Sequence, residues 1–270
     1  MAFQYNNILN IPERSILDKR LTKAFFLKNF SLSAAEKKLL NNNIQSMTWL
    51  ASIKPATVNI PAVINADYNY EEIQIMVCTI ADNKLNELAE KCMTLFQKYI
   101  PYQMLVIVED ANEFKINVCD KRINKAETNK RTIDRSFITN NLSKLYKNNL
   151  SELFFKALDF KNLDKTNLEL LYKSYIQAVV QFQAASITGS YQKRTNKRTV
   201  EDMQNLEAIE LLERDIISLT NQIKKENQLN EKVQLNIKIQ EKRKEIQSLK
   251  DTLTKDEHRK NKQRRQPQSK

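Results

Sequence analysis

The apolar positions of this chain change period along its length, and each change predicts a change of structure. Ile16, Leu17, Leu21 and Phe25 fall at core spacing and predict a helix opened by Pro12 and running through Lys19 to Phe26. Ser33-Ala-Ala-Glu36 is a capping-box pattern, in which the hydroxyl and the carboxylate satisfy free backbone amides reciprocally. It predicts a helix through Leu39, Leu40 and Ile44, with Trp49, shortly before Pro55, as a core anchor where helix gives way to sheet.

Beyond that point the period shortens to two. Ala56 to Ile60 and Glu72 to Ile80 read as strands, and Asp82 can cap a helix from Asn83 to Tyr99 with Leu85, Leu88, Ala89, Cys92, Leu95 and Phe96 on one face. Pro101 ends that helix. Met104 to Val108 is a near-continuous apolar run, the pattern of a strand covered on both faces. Phe114, Ile116 and Val118 alternate with Lys115, Asn117 and Cys119, and the short Glu109-to-Glu113 connection predicts a hairpin. Thr132 to Ile138 and Leu153 to Phe160 have strand-like character, and Asn167 to Ala184 is helical. The single glycine, Gly189, marks a domain boundary.

Past a basic segment, Ile209, Leu212, Ile216, Leu219 and Ile223 recur at alternating steps of three and four, the spacing of a coiled-coil seam. Leu235, Ile239, Ile246, Leu249 and Leu253 form a second stripe in a different phase. The phase break near Asn227 and Asn230 predicts two antiparallel helices; the rival is one continuous helix with a stutter. The expected fold is therefore α+β. A mixed sheet packed with helices spans 1–188, a basic linker 189–205, a helical hairpin (coiled coil) 206–253, and a disordered basic tail 254–270.

Charge adds a partner class. The chain has 270 residues and a formal net charge of +12, with 41% hydrophobic residues. Dispersed lysines are what a low-GC genome writes at polar positions, but two clusters stand out. Lys193, Arg194, Lys197 and Arg198 meet no acid until Glu201, and Arg259, Lys260, Lys262, Arg264 and Arg265 crowd the tail. Such segments predict nonspecific, salt-sensitive phosphate contacts, without choosing DNA or RNA. The start shows no charged leader followed by an apolar run, and no stretch reaches the roughly 20 apolar residues of a membrane span. Cys78, Cys92 and Cys119 are odd in number and include no Cys-x-x-Cys pair, so the expectation is a reduced, cytoplasmic chain.

The chemistry is mostly subtractive. His258, the one histidine, lies in the tail, which speaks against histidine-based triads and zinc sites in the core. One glycine speaks against a P-loop or dinucleotide fingerprint. The remaining constellation is Asp110, Glu113 and Lys115, with Glu109 as a further ligand. An acid followed at i+2 by lysine on a strand is how Mg²⁺-dependent nucleases place a carboxylate beside an amine, although ordinary hairpin-tip charge gives the same pattern. Phe96, Tyr99 and Tyr102 offer either base stacking or, in the plainer reading, closure of the core between helix and strand. No metal and no cofactor is expected.

Together the segment Ile44-Gln-Ser-Met-Thr-Trp49-Leu-Ala-Ser-Ile-Lys54-Pro55-Ala-Thr57-Val-Asn59-Ile60, then Glu72-Ile-Gln-Ile-Met, Tyr99-Ile-Pro-Tyr102 and Met104-Leu-Val-Ile-Val resemble a bacterial family called domain of unknown function 4391. The resemblance extends through Leu163 to Ile176 and into the Leu206-to-Leu253 region; the Asn- and Lys-rich Thr128-to-Leu150 stretch and the tail depart from it. Members are typically encoded beside DNA methyltransferases and helicase-type restriction subunits. The resemblance thus implies a non-catalytic accessory or adaptor subunit of a restriction-modification or antiphage defence system, docked on a methyltransferase or helicase, with no catalytic residue to carry over. The alternatives are a Mg²⁺-dependent nuclease using the Glu-x-Lys strand, and a self-assembling coiled-coil structural protein. Homo-oligomerisation stays open.

Overall fold

A computed structural model describes residues 4–127, 130–192 and 194–255. The chain divides into two compact units, the first ending at Gln183 and the second beginning at Ala184, just ahead of the expected boundary at Gly189. In the first unit the helices are α1 (Asn6–Leu9), α2 (Lys23–Asn29), α3 (Ala34–Asn42), α4 (Pro55–Val58), α5 (Leu85–Tyr99), α6 (Asn149–Leu158) and most of α7 (Leu168–Thr188). Its strands are β1 (Ile16–Leu21), β2 (Ile44–Ile53), β3 (Val63–Ile64), β4 (Asn69–Tyr70), β5 (Ile73–Ile80), β6 (Gln103–Glu109), β7 (Glu113–Ile123), β8 (Arg131–Ile138) and β9 (Leu142–Ser143).

The main sheet runs β1-β2-β5-β6-β7-β8, and β9 pairs with the start of β7. Only β5 and β6 are parallel, because α5 carries the chain back between them. Met104 to Val108 in β6 are all fully buried, as the continuous apolar run requires. One face presents Met47, Met76, Cys78, Ile80, Met104, Val106 and Val108 to Leu88, Cys92, Leu95 and Phe96 of α5 and to Phe26 and Leu40 of α2 and α3. Strand alternation sends Ile75, Leu105, Ile107, Ile116 and Val118 the other way. On that side Phe114 stacks on Phe155 of α6 and meets Tyr5 edge-on, while the Tyr172 hydroxyl of α7 lies 2.9 Å from Met104 O and 2.8 Å from Cys119 O.

Several expectations hold: the Ser33/Glu36 capping box, the strands at 73–80, 104–108, 113–119 and 132–138, and the helix from 168. Others are corrected. The expected helix from Pro12 to Phe26 is edge strand β1 followed by the short α2. Asp18 sits at φ 43° within the β1 irregularity, a conformation no helix continues through. The helix begun at Ser33 stops at Asn42, and Ile44 to Ile53 form a long strand with Trp49 in its middle. Ala56 to Ile60 is not a strand. Pro55 at a first helical position, the Thr57 hydroxyl bonded to Lys54 O at 3.0 Å, and Asn59 in the left-handed region make a single helical turn. Asp82 does not cap α5; it accepts from Ala111 N at 3.1 Å. Leu153 to Phe160 is mostly α6, begun by Asn148 and Ser151 bonding each other's backbone amides.

The second unit is two helices, α8 (Asn196–Lys225) and α9 (Leu229–Thr254), broken at 226–228. Asp215 meets Lys242 at 2.6 Å, and Arg194, just before α8, reaches Leu253 O at the end of α9, so the helices run antiparallel. Ile209, Leu212, Ile246 and Leu253 are buried with Ala184 in one small cluster. The expected tail beyond Lys255 lies outside the described residues. Among those described, no helix is long and apolar enough to cross a membrane.

One buried charge site sets a measurable property of the first unit. Lys121 is fully buried, and its amine donates to Ile100 O and Tyr102 O, both at 2.9 Å. Burial pushes its pKa down to about 7, with Arg131 acting in the same direction. A neutral amine still has the two hydrogens these bonds use. In the unfolded chain the group titrates near 10.4, so between about pH 7 and pH 10 the unfolded state binds the extra proton. Stability from this group therefore rises with pH across that window and is flat below it. Urea unfolding from pH 6 to pH 10 is expected to show this rise in the natural protein, and a Lys121→Met variant is expected to lose that component of the slope.

Candidate functional site

Three neighbourhoods contain the polar side chains that could do chemistry. The first is a network on β2 and β5 that the sequence reading did not assemble. Ser52 and Gln74 are cross-strand partners, and both are buried. The Trp49 indole donates to Gln74 Oε1 at 2.6 Å, and the Gln74 amide donates to Ser52 Oγ at 3.0 Å and Glu72 Oε2 at 2.6 Å. Lys54 Nζ lies 3.6 Å from Glu72 Oε1, with its side chain 42% exposed. The turn of α4 holds that lysine in place: Ser15 Oγ donates to Thr57 Oγ1 at 2.8 Å, and Lys54 N donates to the same oxygen. The result is an ammonium and a carboxylate at the solvent end of a satisfied amide-hydroxyl network. The legible signal was Ser-x-Lys and Glu-x-Gln at period two in strands that pair; what hid it was that 45–54, beyond the helix expected to run through Ile44, was assigned to no strand.

The second neighbourhood is the β6–β7 turn, where Glu109, Asp110, Glu113 and Lys115 were expected to converge. The hairpin is there, but pairing splits the group. Glu109 is the partner of Phe114 and shares its face, whereas Lys115 partners Val108 on the opposite face, the face Glu113 also shares by alternation. Glu109 is engaged by Tyr5 OH at 2.5 Å, Thr79 Oγ1 at 3.0 Å and Lys144 Nζ at 2.7 Å. Burial, then the charge of Glu109, pushes the Tyr5 phenol far above its ordinary range. Asp110 Oδ1 accepts from the amides of Asn112 and Glu113 inside the turn, and Glu113 Oε2 accepts from Asn141 at 2.7 Å. Asp110 and Glu113 do line a half-open cavity with Asn83, Asn86, Asn112 and Ser143. Among the described residues no three His, Cys, Asp or Glu side chains are grouped to hold a metal ion.

The third is the base of the second unit, where the basic cluster falls. Arg194 and Arg198 are buried, at 7% and 6% exposure. They flank the fully buried Asp202, with Arg194 Nε 3.2 Å from Oδ2 and Arg198 Nε 3.0 Å from Oδ1. Their other nitrogens donate to the last carbonyls of α9, Leu253 O at 2.7 Å and Thr252 O at 2.5 Å. Burial raises the Asp202 pKa, against the opposing pull of Arg198 and Arg194. These two arginines thus close the C-terminal end of a helix, where a cation is favoured, and do not face solvent as the reading of the cluster supposed. Lys197 is exposed. Lys193, Arg259, Lys260, Lys262, Arg264 and Arg265 lie outside the described residues. Of the aromatic trio, Phe96 is fully buried and the Tyr99 hydroxyl is tied to Ser31 O and Glu36, which is the core-closing arrangement.

Comparison with known proteins gives one positive finding. The family model described as Domain of unknown function (DUF4391) matches residues 9–246. No curated protein and no solved structure matches.

Neutralising the central anion of the second unit takes from Arg194 and Arg198 their shared buried carboxylate and leaves Arg198 with only the half-exposed Glu201. Asp202→Asn is expected to destabilise this unit by about 3–5 kcal/mol. Hydrogen exchange should then quicken across α8 and α9, while β5 and β6 keep their protection.

Proposed function

We propose that this chain, which belongs to the Domain of unknown function (DUF4391) family, is an accessory subunit that docks another protein through its second unit. The observation that supports this reading is the surface of α8: Leu211 and Ile217 are 62% and 61% exposed on a helix whose seam is already formed by Ile209, Leu212 and Ile216. The two stand about 120° apart around α8, one on each flank of the seam, so a partner covering both would grip the helix from two sides. The class of partner is the one the sequence resemblance implies: a methyltransferase or helicase subunit of a restriction-modification or antiphage system. Exposed Lys197 and the basic residues after Thr254 would add nonspecific phosphate contacts that weaken with salt.

The Glu-x-Lys nuclease reading is not advanced: Glu113 and Lys115 share a face of β7, but Asp110 Oδ1 accepts from turn amides, Glu113 Oε2 accepts from Asn141, and among the described residues no three His, Cys, Asp or Glu side chains are grouped to hold a metal ion.

Co-expression with the products of adjacent genes tests the proposal. The full chain is expected to co-purify with one of them, and a Leu211→Glu/Ile217→Glu double variant is expected to lose at least tenfold in affinity while keeping its helix content. Undiminished binding by the double variant would remove α8 as the docking surface.

A further inference from the structure

The start of α9 reverses the usual placement of charge on a surface helix. Its outward residues Leu229, Val233 and Ile237 follow at i, i+4 and i+8 and are 75%, 48% and 46% exposed. At 3.6 residues per turn, Val233 and Ile237 lie about 160° from Leu235, which lines the side turned to α8. The charged residues of the same stretch, Glu231, Lys232 and Lys238, all fall within about 60° of Leu235. Within one turn of Val233 the neighbours of the stripe, Asn230, Gln234 and Asn236, are uncharged, as is Gln240; the next step of the same row is Glu241. Later in the helix the ordinary order returns, with Glu241, Lys244 and Asp251 outward.

We infer that the Leu229–Val233–Ile237 face of α9 is a weak self-association surface that takes a second copy of the same chain. The stripe is symmetric about Val233. An antiparallel copy sets Leu229 against Ile237, Val233 against its own equivalent, and Asn230 beside Asn236, so one patch is its own complement about a two-fold axis. A surface that meets its own copy brings every charge against a like charge at the axis, and this face carries none to repel. Depletion of charge at the centre of a contact patch is the compositional mark of interfaces. The helices would also lie antiparallel, the favourable arrangement of their dipoles.

The size of the patch sets the strength. Three apolar side chains along about 12 Å of helix cannot reach the roughly 1,000 Å² of total buried area that stable complexes exceed. The association is therefore concentration-dependent and reversible. It uses α9, whereas the proposed partner contact uses Leu211 and Ile217 on α8, so either can fail without the other.

Light scattering on the full chain over a concentration series tests it. The natural protein is expected to rise from monomer toward dimer mass. Val233→Ala should weaken association several-fold, and Val233→Asp or Val233→Lys should each weaken it more than tenfold by placing like charges on the axis. An equimolar mixture of Val233→Asp and Val233→Lys should associate more strongly than either variant alone, and that recovery also shows that both variants fold. A natural protein that stays monomeric throughout overturns the inference. So does dimerisation indifferent to Val233→Asp, or a mixture no stronger than its components.

Discussion

The first unit depends on the dryness of both faces of its central strands. Residues 104–108 of β6 are fully buried, and β5 beside it is nearly so. A strand with no solvent face must be covered twice, so α5 lies on one side and α6 and α7 on the other. The parallel pairing follows from the same arrangement, because α5 has to cross a face of the sheet to connect the two strands. Polar groups that enter this layer are mostly satisfied from within, although Gln97 Oε1 and Gln103 Oε1 are buried without a partner. Gln97 of α5 donates to Asn117 Oδ1, the Tyr172 hydroxyl of α7 settles between backbone carbonyls, and Lys121 gives its amine to the two carbonyls flanking Pro101.

That constraint moves any chemistry to the two ends of the strands. At one end stand Trp49, Ser52, Lys54, Glu72 and Gln74; at the other, Glu109, Asp110 and Glu113. The ends differ in how far their groups are already committed. Glu109 is held by a phenol, a hydroxyl and an ammonium, and this ties the N-terminal segment and the β9 region to the sheet. Its role is accounted for by that fastening. The Lys54–Glu72 pair is looser, at 3.6 Å, with the lysine half in water, so a ligand could compete for both groups at modest cost.

Much of this was legible where period and length agreed. The apolar run 104–108, the helix from 168 and the Ser33 cap each combine two local signals pointing the same way. The failures fall where a short segment had to be assigned alone. Ile16 to Leu21 has apolar residues at both ends, which suits a helix turn or an edge strand equally, and only the pairing of Leu21 with Met47 decides. Ile44 to Ile53 was hidden by the helix before it, and with it went the Ser52–Gln74 contact, which exists only once β2 and β5 are side by side. The acidic constellation at the β6–β7 turn divides between faces: Glu113 and Lys115 stand together, as their i+2 spacing on a strand requires, but the hairpin pairs Glu109 with Phe114 and so puts that carboxylate on the other face, because one residue of register separates the faces of a sheet.

The second unit shows how burial changes the meaning of charge. Arg194 and Arg198 look like part of a phosphate-binding cluster when counted along the chain, yet a single acid, Asp202, with no solvent exposure, draws both inward. Asp202 and the half-exposed Glu201, 3.3 Å from Arg198, balance the two cations, whose remaining nitrogens sit against the terminal carbonyls of α9, where the helix dipole is negative. These two members of the basic cluster are thus used at the base of a helical pair. Near the other end, α9 keeps Lys232 and Lys238 toward α8 and leaves an uncharged apolar stripe outside. At the base of the pair charge is buried; near the tip Lys224, Lys225, Glu231 and Lys238 stay exposed, and the Leu229–Val233–Ile237 stripe is the apolar part of what that end offers to other molecules.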